Sequence, residues 1–171
     1  MSHDPYALAF PAPAFTLTST DVDERGQLPR SAYAEEGDRS PALTWTDLPE
    51  GTRSLLVTAY DADAPVPGGL WHWVLTDVPA AAGGLPTGAG SAESTVPGAV
   101  ALPNDLGRAG YSGVNPPPGT GVHRLFIAAT ALDVDHLEVP AGASTALVHV
   151  LAVPHTLGRA VLVATSTAPA V

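Results

Sequence analysis

Short apolar runs, each bounded by glycine, proline or aspartate, restrict this chain to a fold built mainly from strands. The clearest runs are SLLVTAY, HWVLTDV, VHRLFIAATAL and RAVLVAT, which begin at residues 54, 72, 122 and 159. Bounded apolar runs of this length, rich in β-branched and aromatic residues, are typical of strands. Their spacing predicts a mostly β protein in which turns connect short strands.

The remaining segments complete this prediction. Residues 14–20 alternate in polarity and predict a first strand, and Leu43 and Trp45 alternate in another. The segment 142–153 predicts a helix that Ser144 caps and that Pro154 kinks or ends, with Leu147, Val148 and Leu151 on one face. Residues 80–119 lack apolar periodicity and predict a long loop. We therefore expect a single β-sandwich-like domain over residues 1–171, with a late helix.

Charge and composition exclude several classes of function. The net charge is −10, and the seven cationic residues are all arginines that lie singly along the chain. Nucleic acids and anionic membrane surfaces attract clustered cations, so neither is expected as a partner. The chain has no cysteine, which excludes disulfides and thiolate chemistry. It also lacks a signal-peptide pattern or an apolar run of membrane-spanning length, so we expect a cytoplasmic protein without a membrane span.

Two aspartates and a histidine bracket a stiff loop in the stretch DADAPVPGGLWHW, residues 61–73. Strand alternation puts Asp61 and Asp63 on the same face, and His72 begins the next strand. Turn chemistry alone accounts for isolated aspartates beside proline. A strand–loop–strand unit, however, returns its two ends to one sheet edge, so we expect these three side chains to lie together.

A second cluster is GYSGVNPPPGTGVHRLF, residues 110–126. Its glycines can expose backbone N–H groups to an anion, the prolines that begin at Pro116 are stiff, and His123 starts a strand as His72 does. Imidazole and backbone N–H groups can hold a phosphate or carboxylate. Asp61 or Asp63 would then orient an imidazole or pair with an ammonium group of the ligand.

Other chemistry for the same residues stays open. Two histidines and one carboxylate can form a metal site with open positions, although the spacing matches no standard metal motif. There is no G-x-S-x-G nucleophile elbow, and Ser112 is interpreted as a turn hydroxyl. We therefore predict no catalytic residue, no metal ligand and no cofactor. His136, His149 and His155 are interpreted as surface or helix-packing residues, and Trp73 as a core residue opposite His72.

Both clusters, in this order, resemble the phosphatidylethanolamine-binding protein family, most of all its bacterial Raf-kinase-inhibitor-like branch. The resemblance spans nearly the whole chain and is carried by SPALTW (40–45), LPEGTRSLLVTAYDADAP (48–65), WHWV (71–74), NDLG (104–107), GYSG (110–113), PPPGTGVHR (116–124) and HTLGRA (155–160). It implies an antiparallel β-sandwich with Greek-key connections and a small pocket for anions such as phosphate or acetate.

The resemblance also implies which residues line that pocket. Carried over position by position, they are Asp61, Asp63, His72, Pro116 and His123, with Asn115 where family members have a small residue. Ala62 replaces a proline between the aspartates, and Leu125 replaces a tyrosine, which would make the pocket floor more apolar. Family members have no accepted enzymatic activity or metal cofactor, some regulate kinases or proteases, and bacterial relatives are often homodimers.

Three functions remain in view. The leading hypothesis is non-enzymatic binding of a small anion or phosphorylated head group, with a regulatory or inhibitory role towards a kinase or peptidase. A metal-dependent hydrolase or isomerase that uses the same aspartates and histidines is the alternative. A protein-interaction module that presents a surface loop from residues 80–119 is the third.

Overall fold

The computed structural model describes residues 4–92 and 96–168. Within them the chain forms eight strands and one α-helix, α1, at Thr145–Ala152. The strands are β1 (Thr16–Thr18), β2 (Leu43–Thr46), β3 (Ser54–Asp61), β4 (Leu70–Pro79), β5 (Gly84–Leu85), β6 (Val100–Ala101), β7 (Val122–Leu132) and β8 (Thr156–Thr167). Short 3₁₀ turns lie at Arg30–Ala32, Ala80–Ala82 and Val153–His155.

The strands form two antiparallel sheets. The smaller sheet has the order β1-β2-β5, and the larger has the order β6-β4-β3-β7-β8. Strand β3 is central in the larger sheet, where Asp61 pairs with Leu70 at the start of β4 and with Leu125 near the start of β7. The end of β3 therefore lies beside the beginnings of both neighbouring strands, and this is the edge at which the two sequence clusters meet.

The main core lies between the two sheets. Leu43 and Trp45 from the smaller sheet pack in one buried cluster with Val57, Trp73 and Ile127 from the larger. Trp73 is fully buried and meets Tyr111 edge to face, with ring centroids 5.9 Å apart. Burial of large apolar side chains on both inner faces is what holds two such sheets together.

A second cluster covers the outer face of the larger sheet. Helix α1 packs Val148 and Ala152 there against Leu56, Val74 and Leu132. The Ser144 hydroxyl caps the helix by accepting a hydrogen bond from the Leu147 N–H at 3.2 Å, as the sequence predicts. Of the residues predicted to share a helix face, Val148 is buried, whereas Leu147 is 39% exposed.

The predicted fold class, an antiparallel two-sheet β protein with one late helix, is confirmed. The strand over 14–20 is shorter than predicted, at Thr16–Thr18. The last strand is longer than its apolar run, because its backbone pairs with β7 along the full length of that strand. In 80–119 the described residues form the short 3₁₀ turn at Ala80–Ala82 and the two-residue strands β5 and β6, and residues 93–95 lie outside the described ranges. No helix in the described ranges is long and apolar enough to span a bilayer.

A histidine–aspartate contact ties the segment after β7 to the end of β4. The buried Asp77 carboxylate accepts hydrogen bonds from His136 Nδ1 at 2.6 Å and from the Leu137 N–H at 2.9 Å. The hydrogen bond to Asp77 raises the pKa of the exposed His136 above its ordinary value. A raised pKa in the folded state stabilises the fold below the unfolded-state pKa, and this contribution disappears as pH rises through the folded-state pKa.

We therefore expect His136→Gln to lose stability relative to the wild type at pH 5.5 and to approach it at pH 8.5. Thermal melting of both proteins across this range measures the effect. Melting curves whose separation does not change with pH would contradict this account of the His136–Asp77 contact.

Candidate functional site

A cavity of about 450 Å³ opens at the edge where β3, β4 and β7 meet. Five of the six side chains that the sequence assigns to one pocket line it, namely Asp61, His72, Asn115, Pro116 and His123. Its other lining residues are mostly apolar and include Ala64, Pro65, Val66, Leu70 and Leu106. A largely apolar cavity with a few polar groups is the usual form of a small-molecule site.

His123 is held by partners on both ring nitrogens. Its Nδ1 lies 2.8 Å from the Asp61 Oδ2 atom, and its Nε2 lies 2.8 Å from the Thr120 hydroxyl oxygen. Because a carboxylate only accepts, Nδ1 carries the hydrogen of this bond. The other Asp61 oxygen accepts the Asp63 N–H at 2.8 Å. Asp61 therefore orients the imidazole of His123, one of the two roles that the sequence suggests for an aspartate here.

His72 has a partner on only one ring nitrogen. Its Nδ1 lies 2.8 Å from the Ser112 carbonyl oxygen, so Nδ1 is the donor. Its Nε2 is buried and has no hydrogen-bond partner among the described residues. Buried polar atoms usually have a partner, so an unpartnered nitrogen in the wall of a cavity indicates where a ligand atom would sit.

Burial also controls the charge of His72, which is only 3% exposed. Desolvation lowers the pKa of this histidine below its ordinary value, and the hydrogen bond to the Ser112 carbonyl opposes the shift. The lowered pKa favours the neutral ring at pH 7, and Nε2 of that form presents a lone pair to the cavity.

A β-bulge places His72 on this face. Ala59 pairs with Trp73, whereas the next residue, Tyr60, pairs with Trp71, so His72 is an extra residue on β4. Bulges of this kind redirect a side chain. Trp73 packs in the core as predicted. The prediction that it lies opposite His72 is wrong, because it assumed the regular alternation that the bulge interrupts.

Asn104, for which the sequence pattern predicts no role, holds the backbone around His72. Its buried side-chain amide lies 3.0 Å from the carbonyl oxygens of His72 and Gly110 and 2.8 Å from the Ser112 hydroxyl. Its Oδ1 accepts the Leu106 N–H at 2.9 Å. The only sequence signal for this residue is its place in the segment NDLG, which belongs to the family resemblance.

Asp63 does not line the cavity. Both of its carboxylate oxygens bind the Arg124 guanidinium, at 2.7 and 2.8 Å, and one also accepts the Arg124 N–H at 2.9 Å. The hydrogen bonds from this guanidinium lower the pKa of Asp63. Alternation along the strand suggested that Asp61 and Asp63 share a role. Arg124, the residue after His123, instead pairs with Asp63. Asp63 therefore positions the start of β7 and does not reach the cavity that Asp61 lines.

The remaining predicted positions differ in depth. Pro116 is a buried wall of the cavity, whereas Asn115 is exposed at its mouth. The resemblance implied that Leu125 forms part of the cavity floor. Leu125 instead is buried in the core between the sheets and does not line the cavity.

The described residues contain no group of three or more histidine, cysteine, aspartate or glutamate side chains arranged to hold a metal ion. Within the cavity, Nδ1 of His72 is bound to a carbonyl and both nitrogens of His123 have partners. The arrangement can accept a proton from a ligand at His72, or donate to it once that ring is protonated. It does not offer the three ligands that the metal-dependent alternative requires.

Comparison with known proteins identifies the family of this chain. A family model described as phosphatidylethanolamine-binding protein matches residues 18–167. The chain belongs to the phosphatidylethanolamine-binding protein family. The UPF0098 protein YbhB of Escherichia coli K12 is 39% identical over 154 residues, which cover 86% of this chain and 97% of YbhB. YbcL of the same strain is 41% identical over 144 residues, 80% of this chain and 79% of YbcL.

Solved structures of the family agree with the fold. The crystal structure of E. coli YbcL, described as a member of the mammalian family, has a TM-score of 0.84 and 34% sequence identity. It covers 91% of this chain and 99% of that one. A Chlamydia trachomatis chain described as a homologue of the same family has a TM-score of 0.80 at 26% identity, over 92% and 100% of the two chains. The names of YbhB and YbcL state no activity.

Proposed function

We propose that the cavity at the end of β3 binds a small anion or a phosphorylated head group without catalysing a reaction on it. The observation that carries this proposal is the buried Nε2 of His72, which lines the cavity wall and has no partner in the described part of the chain. A phosphate oxygen that bears a hydrogen would donate to this nitrogen. An oxygen without one would accept from it after the ring takes up a proton.

Asp61 favours a ligand that also carries a positive group. Its carboxylate lies in the cavity wall and is bound on one oxygen by His123 and on the other by the Asp63 N–H. Each carboxylate oxygen has lone pairs for a further donor. An ammonium group near Asp61 and a phosphate near His72 describe a zwitterion such as phosphoethanolamine. Such a ligand is also repelled less than a plain anion by a chain of net charge −10.

Anion binding is expected to be coupled to proton uptake by His72. The pKa of the empty site lies below the ordinary histidine value, and a bound anion raises it because opposite charge favours the imidazolium. Affinity for sulfate, which does not titrate between pH 6 and pH 8, should therefore rise as pH falls. The slope is at most about tenfold per pH unit for one proton.

Isothermal titration calorimetry at pH 6 and pH 8 tests this expectation, with sulfate, phosphate and phosphoethanolamine as ligands. Repeating each titration in two buffers of different ionisation enthalpy counts the protons taken up. Sulfate heats that are absent at both pH values, together with absent phosphoethanolamine heats, would overturn the proposal. Binding of sulfate, which brings no proton of its own, without proton uptake would remove His72 from the site.

The broader role rests on the family resemblance. We propose regulation or inhibition of a kinase or peptidase, and a homodimer as the assembly, with sedimentation as the test of the latter. A cytoplasmic location is part of the same proposal, although the name of one relative indicates a different location for that relative. A relative from Mycobacterium tuberculosis, 33% identical over 138 residues, carries the name lipoprotein LppC, so cell fractionation is the experiment that decides the location.

A further inference from the structure

A second cavity, of about 420 Å³, lies on the opposite face of the larger sheet. The N-terminal segment forms one wall with Tyr6 and Phe10, and helix α1 forms the other with His149 and Val150. Tyr60 and Trp71 line it from β3 and β4, and Arg159 lines it from β8. We call this cavity the outer groove. Its volume lies in the range of small-molecule sites, roughly 300–1,000 Å³.

Aromatic rings dominate the outer groove. The ring centroids of Tyr60 and Trp71 are 4.6 Å apart, and those of Trp71 and His149 are 4.9 Å apart. Phe10 is 51% exposed and lies on the opposite wall. The ring planes are inclined to each other by 46° and 39°, and the faces that line the cavity offer surfaces on which another aromatic ring can pack.

Two nitrogen-bearing groups interrupt this apolar surface. The Nε2 atom of His149 is buried and has no partner within residues 4–92 and 96–168. Burial lowers the pKa of this histidine to about 4, with a smaller effect from Arg159, so its ring is neutral at pH 7.

Arg159 is the cation of the outer groove. It donates from Nη1 to the Phe10 carbonyl oxygen at 2.8 Å and from Nε to the Thr130 hydroxyl at 3.4 Å, and it lies over the Tyr6 ring. None of the ion pairs found in the described ranges includes it. A guanidinium without a carboxylate partner, beside a neutral histidine and aromatic walls, is complementary to an organic anion.

We propose that the outer groove binds a small aromatic carboxylate. Its ring packs between Trp71 and the N-terminal wall, and its carboxylate accepts hydrogen bonds from the Arg159 guanidinium and from Nε2–H of His149. This site is separate from the anion cavity at the end of β3, so the two proposals can fail independently. The guanidinium selects the charge of the ligand, and the rings select its shape.

A matched pair of probes tests the charge requirement in the unmodified protein. 1-Naphthylacetate carries the carboxylate, and 1-naphthylacetamide has nearly the same shape without the charge. Isothermal titration calorimetry measures the binding of each probe, because a naphthyl ring absorbs and emits in the same range as tryptophan. We expect a saturable change with the acid and at least about tenfold weaker binding of the amide, since a charge-assisted hydrogen bond contributes roughly 1.5–3 kcal/mol.

Variants test the residues. Arg159→Gln should abolish the preference for the acid over the amide, and Arg159→Lys should keep part of it. Arg53→Gln is the matched control, because Arg53 is an exposed arginine that pairs with Asp135 and does not line the outer groove. Circular dichroism and melting curves establish that each variant is folded.

Three results would overturn this proposal. The first is equal affinity for the acid and the amide in the wild type. The second is an unchanged preference for the acid in folded Arg159→Gln. The third is displacement of naphthylacetate by phosphoethanolamine, which would place the probe in the cavity at the end of β3. Absence of any saturable change with the acid contradicts the proposal as well.

Discussion

Replacing His72 with alanine should weaken binding of sulfate and phosphoethanolamine by roughly ten- to hundredfold and leave the protein folded. A hydrogen bond to a charged group contributes about 1.5–3 kcal/mol, and Nε2 of His72 is the only cavity nitrogen of the two histidines that has no partner in the described residues. Isothermal titration calorimetry at pH 6 measures the loss, and circular dichroism monitors the fold.

A matched substitution separates this effect from a general loss of histidine. His155 is a half-exposed histidine that contacts Asp133 and does not line the cavity, so His155→Ala should keep wild-type affinity. His123→Ala is also expected to weaken binding, although a ligand reaches its Nε2 only by displacing the Thr120 hydroxyl. Wild-type affinity in folded His72→Ala and His123→Ala would remove both histidines from the site.

The second large effect is expected at Asn104, where aspartate should lower the free energy of unfolding by about 3 kcal/mol or more. The substitution keeps the shape of the side chain but turns its amide, which faces two carbonyl oxygens and the Ser112 hydroxyl, into a carboxylate oxygen. Leaving a buried carbonyl without a donor costs about 1–3 kcal/mol, and burying a charge adds to it. Urea denaturation measures the change.

The same substitution at Asn115 provides the control. Asn115 is exposed at the mouth of the cavity, and surface substitutions usually change stability by no more than about 0.5 kcal/mol. Anion affinity should also fall in Asn104→Asp, because Asn104 binds the carbonyl of His72 and the hydroxyl of Ser112, whose carbonyl orients the imidazole. Equal stability of Asn104→Asp and Asn115→Asp would show that the Asn104 hydrogen bonds do not hold this region.

The sequence predicts the parts of this site that depend on strand order. Each of the three polar side chains stands at one limit of an apolar run: Asp61 follows its run, whereas His72 and His123 lie at the beginning of theirs. The structure pairs these runs as neighbours in one sheet. Strand β7 coincides with its predicted range because its apolar run is long and bounded by glycine. Residue patterns with period two carry this information directly.

What the sequence did not predict depends on contacts between distant segments or on local irregularity. The bulge at His72 breaks the alternation on which the placement of Trp73 relied. Asp63 pairs with Arg124, which lies 61 positions away in the chain. Asn104 binds the carbonyl of His72, which lies 32 positions away. Such pairings follow from loop geometry, which neither periodicity nor turn chemistry specifies.

The protonation state of the His72 ring decides whether this residue binds the anion. Histidine ring nitrogen signals can be followed by nuclear magnetic resonance in ¹⁵N-labelled protein, with His72→Ala to assign them. At pH 7 we expect an unprotonated Nε2 and a protonated Nδ1 in the free protein, and movement of the Nε2 signal towards its protonated position as sulfate is added. A His72 signal that does not move while sulfate binds, or no binding of sulfate or phosphoethanolamine at all, would contradict it.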